Sequence, residues 1–232
     1  MPWDTDTAIG GPAGRFPSTQ RTLLEAVARG LPNDAAARVI ALYWKPVYRL
    51  IRYKFGKSNE DAKDLTQSFF SATLEREFLQ RFDPDRGSFR AYLRMAAERF
   101  AANEHAAANR QKRGGGIVLG PLEEEVVSGE SPEAVYEREW RRQLFGLAVA
   151  DLRRLCEERD QLSHFAIFES YDLSDPRPSY GELAARHGIA ETAVTNHLAW
   201  ARRTLRMLVI DRVRELTGSE RELREEMRRL WI

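Results

Sequence analysis

Cysteine is nearly absent from this 232-residue chain, Cys156 being the only one, which excludes an internal disulfide framework and a cysteine-built zinc site. No apolar run is long enough to span a bilayer, and the chain does not open with a charged segment followed by an apolar stretch. A soluble, cytoplasmic protein of a reducing compartment is the expectation. Runs of alternating apolar and polar residues are also missing, which argues against half-buried strands. The four histidines, at 105, 164, 187 and 197, are scattered, and no metal-ligand spacing or catalytic constellation joins them. We therefore expect no enzyme activity, no metal and no cofactor. Charge of one sign is lacking too: the formal net charge is +1 although 31% of residues are charged. Any attraction to nucleic acid must then come from local patches.

What is present is helical periodicity. From Ala35 to Phe55 the chain is apolar and aromatic, with Pro46 expected to kink it or restart it, and Gly56 to stop it. A helix from Asn59 to about Phe78 would be capped by Ser58 or Asn59, with Leu65, Phe69 and Ala72 on one face and Asp61, Asp64, Ser68, Ser71 and Glu75 on the other. The turn at Phe82–Ser88 leads into a helix over Phe89–Asn109. Between Arg86 and Arg113 lie seven Lys or Arg and two Glu, so this stretch is locally basic. Gly114–Ser131, with a triple glycine and the run Glu123–Glu125, reads as a linker. Pro121–Glu139 carries seven Glu against one Arg. Ser131-Pro132 is a helix start, and helices are expected to about Glu158, over Gln161–Tyr171, Tyr180–His187, Glu191–Leu216 and Glu220–Leu230.

The segment Tyr180–Arg206 has the grammar of a helix-turn-helix. Ala184 allows close helix approach, and Gly188 supplies a left-handed turn. Val194, Leu198, Ala201, Leu205 and Leu208 recur at spacings of three and four, which turns them inward. The outward face carries Thr192, Thr195, Asn196, Arg202, Arg203 and Arg206. Hydroxyl and amide groups at the front of such a helix reach base edges, and arginines further back hold phosphates. Ala190 stands where a capping side chain would be expected.

Taken in order, D-A-K-D-L-T-Q-S-F-F from Asp61, F-R-A-Y-L-R-M-A-A-E-R-F-A-A-N-E from Phe89, and Y-G-E-L-A-A-R-H-G-I-A-E-T-A-V-T-N-H-L-A-W-A-R-R from Tyr180 resemble bacterial RNA polymerase sigma factors of the extracytoplasmic-function (ECF) type. The resemblance covers roughly residues 36–113 and 133–216. It implies an all-α fold of two small helical domains on a flexible linker, the second containing the helix-turn-helix. Residues 1–20 would be a tail, 21–113 the first domain, 114–131 an acidic linker, 132–217 the second domain and 218–232 a helical extension. It further implies that Asp61, Asp64, Leu65 and Gln67 contact the clamp helices of the polymerase core. Arg86, Ser88, Phe89, Arg90, Arg99, Asn103, Arg110 and Lys112 would read and melt the minus-ten element of promoter DNA. Thr192, Thr195, Asn196, His197, Arg202 and Arg203 would read the minus-thirty-five element. An anti-sigma protein is a further implied partner, and no membrane is. Two other readings stay open at this point: a stand-alone helix-turn-helix regulator, and a helical protein-binding adaptor.

Overall fold

A computed structural model describes residues 33–73, 81–83, 86–111, 129–217 and 219–230. Among them are eight helices and no strand: α1 Asn33–Phe55, α2 Asn59–Thr73, α3 Phe89–Gln111, α4 Pro132–Glu158, α5 Leu162–Asp172, α6 Tyr180–His187, α7 Glu191–Arg214 and α8 Glu220–Leu230. The all-α expectation holds. The tail 1–20, most of the linker 114–131, and Glu75 lie outside the described residues.

Helix ends follow local chemistry. Ser58 Oγ accepts the Asp61 N–H at 3.1 Å, so Ser58 caps α2. Ser131 caps α4 by accepting the Ala134 N–H at 3.1 Å, with Pro132 at the first helical position, where its missing N–H costs nothing. Ser179 and Glu182 make a reciprocal capping box on α6. Gly188 ends α6 at φ 64°, the left-handed conformation that the turn requires. Of the two outcomes expected at Pro46 the restart does not occur, since α1 runs through it. The lost N–H bond is offset by packing, since Tyr43, Val47, Leu50 and Ile51 around it are buried in the core.

Two hydrophobic cores form, and they do not divide at the glycine-rich stretch. The first takes Val39, Tyr43 and Val47 from α1, Phe69 from α2 and Leu93 and Ala97 from α3. It also takes Tyr136, Trp140, Leu144 and Ala148 from α4, Val209 and Val213 from α7, and Leu223 and Leu230 from α8. The second takes Leu152 and Cys156 from the end of α4, Phe165 and Phe168 from α5, Leu183 from α6 and Val194, Leu198 and Ala201 from the start of α7. Helices α4 and α7 thus belong to both. Polar ties follow the same seam. Gln143 Nε2 donates to the Ala41 carbonyl at 2.8 Å, Arg38 pairs with Glu215, and Arg212 pairs with Asp151 at 2.6 Å. The Tyr53 hydroxyl donates to the Glu130 carbonyl, holding the entry to α4 against α1.

Ala190 begins α7 in an extended conformation, with no side-chain hydrogen bond to the helix. Ala190→Ser should supply the missing cap and stabilise the chain by about 1 kcal/mol. A thermal melt should show a rise of roughly 2–4 °C; an unchanged or lower midpoint would mean that the first turn of α7 is already satisfied.

Candidate nucleic-acid and protein interfaces

The turn between α6 and α7 consists of Gly188, Ile189 and Ala190. Ile189 packs into the second core, and Leu183 and Val194 are fully buried beneath it. This fixes the roll of α7. Thr192, Thr195, Asn196, Arg202 and Arg203 consequently stand on its exposed side. Thr195 Oγ1 donates to the Glu191 carbonyl at 3.2 Å, a local bond that a competing acceptor can replace. Arg202 grips Asp172 at the end of α5 with two hydrogen bonds of 2.8 Å and lies 5.6 Å from the Tyr171 ring centroid. That carboxylate holds its guanidinium pKa above the ordinary arginine value.

His197 sits differently from the other five. It is half-buried, and its ring stacks on His164 of α5 with centroids 3.9 Å apart. Trp200 meets His164 edge-on at 5.1 Å. Nδ1 of both histidines is buried, as is Nε2 of His187, and none has a hydrogen-bond partner. His197 therefore packs between α5 and α7, because its position on α7 rolls it towards α5. Among the described residues no cluster of His, Cys, Asp or Glu could hold a metal.

On α2, Asp61, Asp64, Gln67, Ser68 and Ser71 are exposed, opposite buried Ala62, Thr66, Phe69 and Phe70. Leu65 is half-buried against the first core. Ala72, expected inward with Leu65 and Phe69, is exposed instead, because Thr66, Phe70 and Thr73 complete the inner face. Asp64, Gln67, Ser68, Ser71 and Ala72 line a shallow polar groove of about 510 Å³. Lys63 is tied to Glu60 at 3.1 Å and leaves the aspartates uncompensated on their side.

The basic helix α3 divides its residues between surface and interior. Arg86, Arg99 and Asn103 are exposed, Arg86 making an ion pair with Asp83 at 3.3 Å. Ser88 caps α3 by accepting the Ala91 N–H at 3.3 Å. Phe89, only 1% exposed, packs edge-on against Tyr43 and Phe82 and is a core residue here. Arg90 is 4% exposed. Its guanidinium meets Glu137 at 3.0 Å and Glu226 at 3.1 Å, and covers the Trp140 ring at 4.1 Å. Sequence reasoning missed these partners, since Glu137 and Glu226 lie 47 and 136 positions away, and no local pattern pairs them with Arg90. The side chain of Arg110 and all of Lys112 lie outside the described residues.

Against known proteins, the family model described as ECF sigma factor matches residues 19–209. No match to the chain emerges among curated proteins or among solved structures. Among the described residues no helix is long and apolar enough to cross a membrane.

Burial and the neighbouring His164 and His187 lower the pKa of His197 below its ordinary 6.5. Its folded state favours the neutral ring, so its stabilisation is present above about pH 6.5 and lost as pH falls through the lowered value. Denaturant titrations from pH 7.5 to 5 should show declining stability, and His197→Phe should flatten that decline. An unaltered slope in the variant would assign the pH response elsewhere.

Proposed function

The chain belongs to the ECF sigma factor family, which acts in transcription initiation with RNA polymerase, and on that premise we propose that it recognises promoters through two separate DNA-reading faces. The observation that carries this reading is the exposed front of α7. Thr192, Thr195 and Asn196 are turned out together there, because Val194 and Leu198 are anchored in the second core. This face would enter the major groove of the minus-thirty-five element, with Asn196 able to bond an adenine edge in two places and Arg203 held back for phosphate. Arg202 would join it by exchanging Asp172 for phosphate. His197 would shape the face through its stack on His164, more than touch bases.

The second face would be α3 with its preceding turn. Arg86, Arg99 and Asn103 are exposed and suited to the backbone and unpaired bases of the minus-ten element. Arg90 would join them only on leaving its present partners. The exposed polar face of α2 would dock the polymerase core through Asp61, Asp64 and Gln67, with half-buried Leu65 beside them. Both faces are then needed: each alone would bind a single element, and carrying both on one chain raises the effective concentration of the second contact.

Two sets of variants test this. Asn196→Ala should lose about 1–3 kcal/mol on the preferred upstream element and little on random duplex. Arg203→Ala should weaken all duplexes alike and reduce the salt slope by about one unit. Equal losses for both variants on every sequence would make α7 a general phosphate binder and remove the specific role. Asp61→Lys with Asp64→Lys should abolish capture by purified core polymerase while circular dichroism stays helical. Undiminished capture would transfer the docking role away from α2.

A further inference from the structure

Helix α8 lies beyond residue 209, where the family match ends. Its sequence, E-R-E-L-R-E-E-M-R-R-L, holds four arginines against four glutamates and reads as neutral. Folding sorts these charges. Leu223 and Leu230 enter the first core, and Glu222 and Glu226 go down with them, 9% and 4% exposed. Glu226 is matched there by Arg90 at 3.1 Å. Arg221, Arg224, Arg228 and Arg229 stay outside with only Glu220 and Glu225. A neutral sequence thus makes a basic surface.

The arginines are not spread evenly over that surface. At about 100° per residue, Arg221, Arg224 and Arg228 fall within roughly 60° of one another, on the side opposite Leu223, Glu226 and Leu230. They span about 10 Å along the axis, and Glu220 and Glu225 border the stripe without entering it. Among the described residues Arg221, Arg224 and Arg228 form no ion pair, whereas Arg229 braces Glu226 at 3.2 Å. Helix α8 is itself fixed: Ser219 Oγ caps it by accepting the Glu222 N–H at 3.2 Å, and its two leucines are anchored in the core. Three guanidinium forks are therefore held in line on a rigid element, without an ion-pair partner. Guanidinium pairs with phosphate in a two-pronged geometry, and each such contact releases a condensed counterion. A row of like charges suits the opposite row on a nucleic-acid strand better than a protein surface, where both signs are interspersed.

We propose that the outer face of α8 is a third DNA contact, a phosphate-binding stripe that adds affinity for duplex without reading its sequence. This role rests on the promoter-binding reading above and deepens it. Backbone contacts hold a duplex in place and base contacts choose it. The stripe belongs to the first kind, and Asn196 on α7 to the second. Nothing in α8 has to move, since the three side chains are already exposed.

The test uses the full chain and a fluorescent duplex of random sequence, titrated by anisotropy at several salt concentrations. Arg221→Gln, Arg224→Gln and Arg228→Gln combined should lower the slope of log affinity against log salt by about 2–3 units, since each lost phosphate contact is worth about 0.9. Affinity at low salt should fall at least about tenfold. The matching triple replacement by lysine should keep most of the slope, and Glu220→Gln with Glu225→Gln should tighten binding. All of these side chains are exposed, so circular dichroism should stay unchanged. If the triple glutamine variant loses helix, Arg224→Gln alone should still cost about one unit of slope. An unchanged slope overturns the stripe. An unchanged slope with weaker capture of core polymerase does so too, and makes the face a protein contact. Absence of measurable binding of the unaltered chain to duplex at low salt is equally fatal to it. The promoter reading fails separately, if Asn196→Ala leaves sequence preference as it was while the α8 variants still lower the slope.

Discussion

Helices α4 and α7 each run out of one hydrophobic core and into the other, and the placement of the candidate contacts on α7 depends on that sharing. Tyr136, Trp140 and Leu144 lock the front of α4 to α1, while Leu152 and Cys156 lock its rear to α5 and α7. On α7 the order is reversed: Val194 to Ala201 serve the second core, Val209 and Val213 the first. A helix fixed at both ends has no freedom to roll. The exposure of Asn196 and Arg203, the burial of Leu198, and the turning of His197 towards α5 are consequences of one rotational setting. Side chains such as Trp140 and Tyr136 each contribute on the order of 2–3 kcal/mol when fully buried, so the setting is not easily changed by surface charge.

Much of this was legible in the sequence wherever the signal is local. The i, i+3, i+4 stripe of α7 predicted the buried Val194, Leu198 and Ala201 but not Val209 and Val213 further on, Gly188 announced the left-handed turn, and Ser131-Pro132 announced the start of α4. The capping box at Ser179 and Glu182 was missed, although a serine followed three residues later by glutamate is its local sign. What was not legible is whatever depends on distant pairing. An arginine on a basic helix reads as a surface cation until a carboxylate 136 positions away is known to meet it. Pro46 reads as a break because local rules count its missing N–H, whereas the packing that offsets the loss comes from other helices. The triple glycine reads as the seam between units because glycine and proline punctuate a sequence; among the described residues the two cores meet within α4 and α7, where the sequence shows continuous helix.

The polar contacts sort into two kinds by what their loss would cost. Arg153–Glu157 and Arg154–Glu158 on α4 are exposed i, i+4 pairs worth a few tenths of a kcal/mol. Arg90 with Glu226 is enclosed, and burial pushes the Glu226 carboxyl above the usual range against the pull of Arg90 and Arg229. That direction means desolvation outweighs attraction at Glu226. The cluster is therefore held in place by the apolar contacts around it, Leu223 and Leu230 on α8 and Trp140 on α4, more than it holds them. Charge supplies selectivity for one partner, and packing supplies the adhesion.

The same division explains how Arg202 can be paired and still be available. Its bond to Asp172 is bidentate and lies at the surface on the arginine's side, where such pairs contribute about 0–1 kcal/mol. A phosphate offers the same fork geometry and adds the release of condensed counterions. Exchange of one acceptor for the other would therefore cost little, and the bond to Asp172 keeps a flexible side chain oriented along α7. Arg90 faces the opposite situation, since Glu137, Glu226 and the Trp140 ring enclose it. Two arginines of one chain thus stand differently: Arg202 is exposed beside a half-buried Asp172, whereas Arg90 is enclosed among α3, α4 and α8.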